Sequence, residues 1–224
     1  MFDLVCSSSA SRTNLAPNDM LASLEHYART SLVKRDAALF WEGDTVAGYY
    51  RVVHGAVRMC KLMPDGRRQV ADFFGDGDLI LVEFSETHRF TAEAIVDSVI
   101  CFYPRSAIDL LVQSDARFAR QLLGLACDRL MSAHSQMVVL GRKTAEERLA
   151  TFLSGHARRH PKPNRLMSLP MSRIDIADYL GLTVETVSRV LSKLKRQGVI
   201  ELPDIHSVRV VDCDQLELMS EGEA

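Results

Sequence analysis

Residues 32–103 read as a series of short strands. TVAGYYRVVHGAVRMCKLM is rich in aromatic and β-branched residues and is broken by Gly48 and Gly55. MPDGRRQV places Pro64, Asp65 and Gly66 at a hairpin turn. FFGDGDLI brackets Asp76 with two glycines, and RFTAEAIVDSVICFY returns to strand character around a turn at Asp97-Ser98. Many short strands at regular spacing predict a sandwich or a roll.

The period then changes. Ser114 is placed to N-cap a helix starting at Asp115. Within that helix Ala119, Leu123, Ala126, Leu130, Ala133, Met137 and Leu140 follow a 4, 3, 4, 3, 4, 3 spacing. That is the a/d seam of a coiled coil lasting three heptads. An apolar stripe usually covers its own domain. Here Phe118, Leu122 and Leu125 form a second stripe beside the first, available to pack on the strands. One helix with two apolar faces can serve its own domain and a second subunit together, so a parallel homodimer is expected.

Beyond Gly141, RKTAEERLATFLSGHARRH reads as a helix ended by Pro161 and Pro163, and RLMSLP as a short strand. MSRIDIADYLGL predicts a helix capped by Ser172 and stopped by Gly181. Thr183 caps the next helix, 184–197, which Gly198 ends, and VIELP with HSVRVV reads as a small hairpin. Two short helices joined at Gly181-Leu182-Thr183 make a helix-turn-helix, and the hairpin makes a wing. Ile176, Ala177, Leu180, Val187, Val190, Leu191 and Leu194 supply its inner faces.

Composition sharpens this picture. The net charge of −2 is unevenly spread. In residues 141–202 twelve Lys and Arg oppose six Asp and Glu, whereas both flanking segments are acidic. The basic block coincides with the helix-turn-helix, a modest footprint for a polyanion partner. Outward on its second helix stand Val184, Glu185, Ser188 and Arg189. The last three share one face at i, i+3, i+4, near the end that a recognition helix inserts into the major groove. A guanidinium can clasp guanine O6 and N7, and a carboxylate can accept from cytosine N4. A serine hydroxyl adapts to either role, and valine methyls can meet a thymine methyl. Ser172, Arg173, Thr186, Lys193, Lys195 and Arg196 are the phosphate candidates. The bland alternative is a surface helix with a Glu–Arg pair at i, i+4. No apolar run approaches the roughly 18 residues of a membrane span, and no secretion signal is legible, so a cytoplasmic protein is expected. Five scattered cysteines argue against a disulfide framework.

GYYRVVHGAVRMCKL, FFGDGDLI, KTAEERLATFL and IADYLGLTVETVSRVLSKL together resemble the CRP/FNR superfamily of bacterial transcription regulators, on its FNR/FixK-like branch. The resemblance covers nearly the whole chain. It implies an α+β architecture: an N-terminal extension (1–26), a β-roll (jelly-roll, cyclic-nucleotide-binding-like) sensor domain (27–113), a dimerisation helix (114–141) and a winged helix-turn-helix (142–224). It implies a homodimer on double-stranded DNA with a TTGAT-N4-ATCAA-like palindrome, acting as an activator through RNA polymerase. Asp65, Gly66 and Arg67 are the polymerase contact candidates by the same resemblance.

The family's oxygen sensor holds an iron–sulfur cluster with an N-terminal cysteine group plus one roll cysteine. Cys101 matches the latter, but Cys6 stands alone near the N-terminus, and four thiolates are the usual requirement. No cluster is expected. Cys101 reads as a small apolar strand residue, with a redox thiol as the alternative. Cyclic-nucleotide receptors of the family use Gly-Glu-Leu and Arg-Ser, where this chain has Gly77-Asp78-Leu79 and Arg89-Phe90. The shorter acid and the lost hydroxyl imply a pocket unsuited to cyclic AMP. Haem binding also occurs in the family, and His26, His54 and His88 are weak ligand candidates. No cofactor is therefore expected, and an effector-free dimer controlled by its abundance is the leading expectation. A ligand-gated relative, answering to cyclic nucleotide, haem or redox state, is the alternative. A cupin-like metalloenzyme is a remote third reading, disfavoured because no His-x-His occurs.

Overall fold

The structure is a computed structural model that describes residues 23–80, 85–159 and 165–222. Most of the N-terminal extension with Cys6, and the Pro161–Pro163 segment with Lys162, lie outside the described residues.

Among the described residues, eight antiparallel strands build the roll as two four-stranded sheets. One runs β1 (Arg29–Val33), β8 (Ser98–Pro104), β3 (Gly48–His54), β6 (Leu79–Ile80). The other runs β2 (Ala38–Phe40), β7 (Thr91–Ala94), β4 (Val57–Leu62), β5 (Arg68–Phe74). Their facing sides bury Phe40, Val52, Val57, Phe74, Ile80, Ala92 and Ile100, the alternation that a sheet sandwich requires. Gly55 turns the chain from β3 to β4 at φ +116°, and a Cβ there would lie 2.2 Å from Ser98 Oγ. Only glycine fits both constraints. The β4–β5 hairpin closes at the expected turn, with Gly66 at φ +85°. Asp65 accepts from the Arg67 backbone N–H (3.0 Å) and from Arg67 Nε (2.7 Å), which hold its carboxyl below the ordinary carboxylate range.

Two helices follow. α1 (Arg105–Ser114) was not anticipated, although Ala107, Ile108, Leu111 and Val112 have helical spacing. Its presence corrects the expected cap. Ser114 is the last residue of α1 and donates to Leu110 O at 2.7 Å. Asp115, in extended backbone, caps α2 (Ala116–Arg142) by accepting from Arg117 N (2.8 Å) and Phe118 N (3.2 Å). Ile108, Phe118 and Leu122 bury against Tyr49, Cys101 and Tyr103, on the outer face of the first sheet. The second stripe of α2 therefore packs on the roll as expected.

The C-terminal unit runs α3 (Ala145–Arg159), β9 (Leu166–Ser168), α4 (Arg173–Leu180), α5 (Val184–Arg196), β10 (Ile200–Asp204), β11 (Ser207–Val210) and α6 (Cys213–Glu221). The hairpin is present, but β9 joins it to give a three-stranded sheet ordered β10-β11-β9. α6 was not anticipated; Asp212 caps it through Gln215 N.

The roll and the helix-turn-helix share one core. Cys60, Val70 and Phe73 of the roll cluster with Ile176, Ala177, Leu180, Leu191 and Leu194. Burial pushes the Cys60 thiol up to about 11. Around this contact lies an ionic knot. Asp175, 2% exposed, meets Arg68 at 2.6 Å and Arg58 at 3.3 Å, while Arg68 also reaches Asp178 at 2.8 Å. At the other end of α4, Arg148 donates to Leu180 O and Leu140 O, both at 2.9 Å, so one guanidinium satisfies terminal carbonyls of α4 and α2.

Candidate nucleic-acid interface

The helix-turn-helix is set by local chemistry. Ser172 and Asp175 form a reciprocal capping box at the start of α4. Gly181, at φ +62°, ends α4 in the left-handed region. Thr183 caps α5 by accepting from Thr186 N at 3.2 Å. Val187, Val190, Leu191 and Leu194 are all buried, so the opposite face of α5 is turned outward.

Glu185 and Arg189 are exposed on that face, and Ser188 is half-buried between them. Val184 does not join them fully: it is half-buried and packs against the core. Arg189 donates to Thr186 Oγ1 at 3.2 Å rather than pairing with Glu185, so the simple i, i+4 ion pair is not what forms. Glu185 carries no ion pair among the described residues.

The six phosphate candidates divide. Ser172 Oγ is engaged in the capping box, donating to Asp175 Oδ2 at 2.7 Å. Arg173 Nη1 donates to Ser188 Oγ at 3.0 Å, so its guanidinium lies against the recognition helix. Thr186 belongs to the cap network with Thr183, 3.0 Å away between hydroxyl oxygens. Lys193 meets both oxygens of Glu146 at 2.7 Å. Lys195 and Arg196 are exposed and carry no ion pair or side-chain hydrogen bond among the described residues. Glu146 was missed by sequence reasoning: it stands 47 residues from Lys193, and nothing in its own neighbourhood announces the pairing. An open groove of about 860 Å³ runs beside α5, lined by Thr144, Glu146, Ser188, Arg189, Lys193 and Arg196 among others.

On α2 the seam faces solvent. Leu123, Leu130 and Met137 are 64%, 56% and 62% exposed. Ala126 and Ala133 are exposed with them, whereas Ala119 and Leu140 are half-buried. Leu140 lies beside Gly181, so the seam ends where α2 meets the helix-turn-helix. Among the described residues no helix is long and apolar enough to cross a membrane.

In the roll, Asp78 faces Arg129 of α2 at 3.8 Å, and the same guanidinium meets Asp72 at 3.0 Å and covers the Phe74 ring at 4.8 Å. Burial raises the Asp72 carboxyl even with Arg129 beside it. Cys101 is buried. His54 engages Asp76 at 3.1 Å, and His88 stacks on Phe40 at 3.7 Å between ring centres. His26 is exposed.

Comparisons with known proteins agree across the chain. Profiles of a cyclic nucleotide-binding domain and a Crp-like helix-turn-helix domain match residues 31–115 and 147–219. The nitrogen fixation regulation protein FixK of Bradyrhizobium diazoefficiens is 35% identical, over 96% of this chain and 93% of that protein. FixK of Azorhizobium caulinodans is 42% identical, over 80% of this chain and 73% of its own length. The structure of FixK2 from Bradyrhizobium japonicum superposes with a TM-score of 0.83 at 40% identity, covering 86% of this chain and 96% of that one.

Proposed function

The chain belongs to the CRP/FNR family of helix-turn-helix transcription regulators, in the branch of the FixK and FNR activators, and from that premise we propose how it acts. It binds double-stranded DNA in the cytoplasm as a symmetric homodimer, with one recognition helix in each half of a TTGAT-N4-ATCAA-like palindrome. Glu185, Ser188 and Arg189 read base edges, with Val184 behind them at the rim. Lys195 and Arg196 meet phosphates directly, while Lys193 must first leave Glu146. The reading rests on one observation above all. A capped helix, buried on one side by four apolar residues, presents a carboxylate, a hydroxyl and a guanidinium together on its other side.

Dimerisation is supported by the exposed Leu123, Leu130 and Met137 of α2. Their cost in water is relieved by the same stripe of a second copy. The division we propose is an extension (1–26), a roll with α1 (27–114), a dimer helix (115–142) and a DNA-binding domain (143–224). The expected boundary at 114 moves by one residue because Ser114 ends α1 and Asp115 caps α2. Competence without an effector is supported by two arginine contacts. Arg129 holds the dimer helix to Asp72 and Asp78, and Arg68 holds α4 to the roll. Both join these elements by the chain's own side chains. The Asp65–Arg67 turn, exposed at the tip of β4–β5, is the surface offered to RNA polymerase.

The test is a titration of labelled TTGAT-N4-ATCAA duplex with effector-free protein at fixed salt, against a scrambled duplex. Selective binding is expected. A second reading, gating by a ligand in the roll, is favoured by the cyclic nucleotide-binding match over residues 31–115. Selectivity that emerges only on adding a cyclic nucleotide, haem or reductant would replace the first reading with the second.

A further inference from the structure

Arg173 was expected on a phosphate, yet its guanidinium donates to Ser188 Oγ at 3.0 Å from a position 15 residues earlier. It opens α4 immediately after the Ser172 cap, so its backbone is fixed by the capping box. Ser188 sits between Glu185 and Arg189 on the outward face of α5. A serine oxygen has two lone pairs and one proton. The cation engages one lone pair. Its charge weakens the remaining lone pair as an acceptor and strengthens the O–H as a donor. A second N–H donor would have to approach an oxygen that already faces a guanidinium. Among the described residues the Ser188 hydroxyl proton has no acceptor, because the bond nearest to it, Ser192 Oγ to Ser188 O at 2.8 Å, uses the backbone carbonyl.

We infer that Arg173 is a specificity-determining positioning residue: by donating into Ser188 it commits the serine hydroxyl to donate, so that α5 reads a hydrogen-bond acceptor at that base pair. In the major groove the acceptors are guanine O6 and N7, adenine N7 and thymine O4, whereas the amino groups of cytosine and adenine are donors and are rejected. Serine alone is ambiguous between the two, and Arg173 removes the ambiguity. Its neighbour Arg189 is held separately, through Thr186 and the Thr183 cap, so the two readers are supported by independent contacts. The inference rests on the reading of the chain as a sequence-specific regulator.

The experiment starts from a randomised duplex library selected with the wild-type protein, which defines the preferred base at each half-site position without assuming a consensus. Affinities for that site and for its single-base variants are then measured for Arg173→Met, Ser188→Ala and the double variant, each over a range of salt. Thermal melting confirms that each variant folds. The expected result is a loss of about threefold to tenfold in discrimination at one base pair, the worth of a single hydrogen bond. Arg173→Met and Ser188→Ala should lose it at the same base pair, the double variant should lose no more than either, and the salt slope should be unchanged. If Arg173→Met instead weakens every sequence equally, lowers the salt slope by about one counterion per half-site and adds to Ser188→Ala, Arg173 is a phosphate contact and the inference is overturned. A wild-type protein that enriches no sequence removes the regulator reading itself, and the role of Arg173 falls with it.

Discussion

The long helix α2 and the recognition helix α5 each leave one face in water, and the two faces have opposite chemistry. On α2 the outward residues include Leu123, Leu130 and Met137, spaced for another helix, with Met131 and Val138 exposed beside them. On α5 they are Glu185, Arg189, Lys195 and Arg196, which water solvates well. The inward faces are alike: Phe118 and Leu122 bury in one case, Val187, Val190, Leu191 and Leu194 in the other. Burial therefore does not distinguish the helices; what each leaves outside does. An apolar face remains costly until something apolar covers it. A charged face costs nothing in solvent and exchanges water for a polyanion when one arrives. The first predicts a permanent partner and the second a reversible one.

The strongest test breaks the apolar face. Leu130→Asp places a charge on the seam of each copy while leaving the roll contact alone. The protein should run as a folded monomer by analytical ultracentrifugation, with its melting temperature lowered by the loss of the subunit contact. Palindrome affinity should fall by about 10²–10⁴-fold, the avidity of two linked modules. A dimer that survives Leu130→Asp would show that the exposed stripe serves some other purpose.

Next comes the polar face. Arg189→Ala should cost about 1–3 kcal/mol on the selected site and relax one base pair per half-site. Equal losses on specific and scrambled duplex would remove Arg189 from the base readers. Thr183→Ala deletes the cap that starts α5. It should lower stability by about 1 kcal/mol in chemical denaturation and weaken binding to all sequences together. An unchanged midpoint would mean that the cap is redundant with the packing of Val187 and Leu191.

The smallest effect concerns the groove between α3 and α5. Glu146 holds Lys193 with both oxygens, but the pair is partly exposed, and such pairs are worth about 0.2–1 kcal/mol. Glu146→Gln should strengthen binding to every sequence by a few-fold, because the lysine is released to phosphate. Lys193→Ala should weaken it by a similar factor and shallow the salt slope. If Glu146→Gln has no effect at low salt, Lys193 does not reach DNA at all.

The sequence by itself determined most of the elements, α1 and α6 excepted, and much of the outward chemistry of α2 and α5. Caps at Ser172 and Thr183, the left-handed stop at Gly181 and the 4, 3 spacing of α2 are legible because each depends on residues within about a turn or two of one another. Where two local signals competed, reading failed: Ser114 and Asp115 are both good caps, and only the presence of α1 places Ser114 inside a helix. The outward facing of Glu185 and Arg189 followed from subtracting the apolar face. That subtraction misplaced Val184, since packing from a neighbouring element cannot be counted from one helix alone.

Only the tertiary structure decided which polar side chains are already engaged. Arg68 meets Asp175 across 107 residues, Arg129 meets Asp72 across 57 and Lys193 meets Glu146 across 47. A charged side chain has the same sequence signature whether it waits for a phosphate or lies against a carboxylate. Its partner is chosen by how distant elements pack: the shared core of Phe73, Ile176 and Leu180, for instance, brings α4 and its Asp175 to Arg68, and no residue nearby in the chain does so.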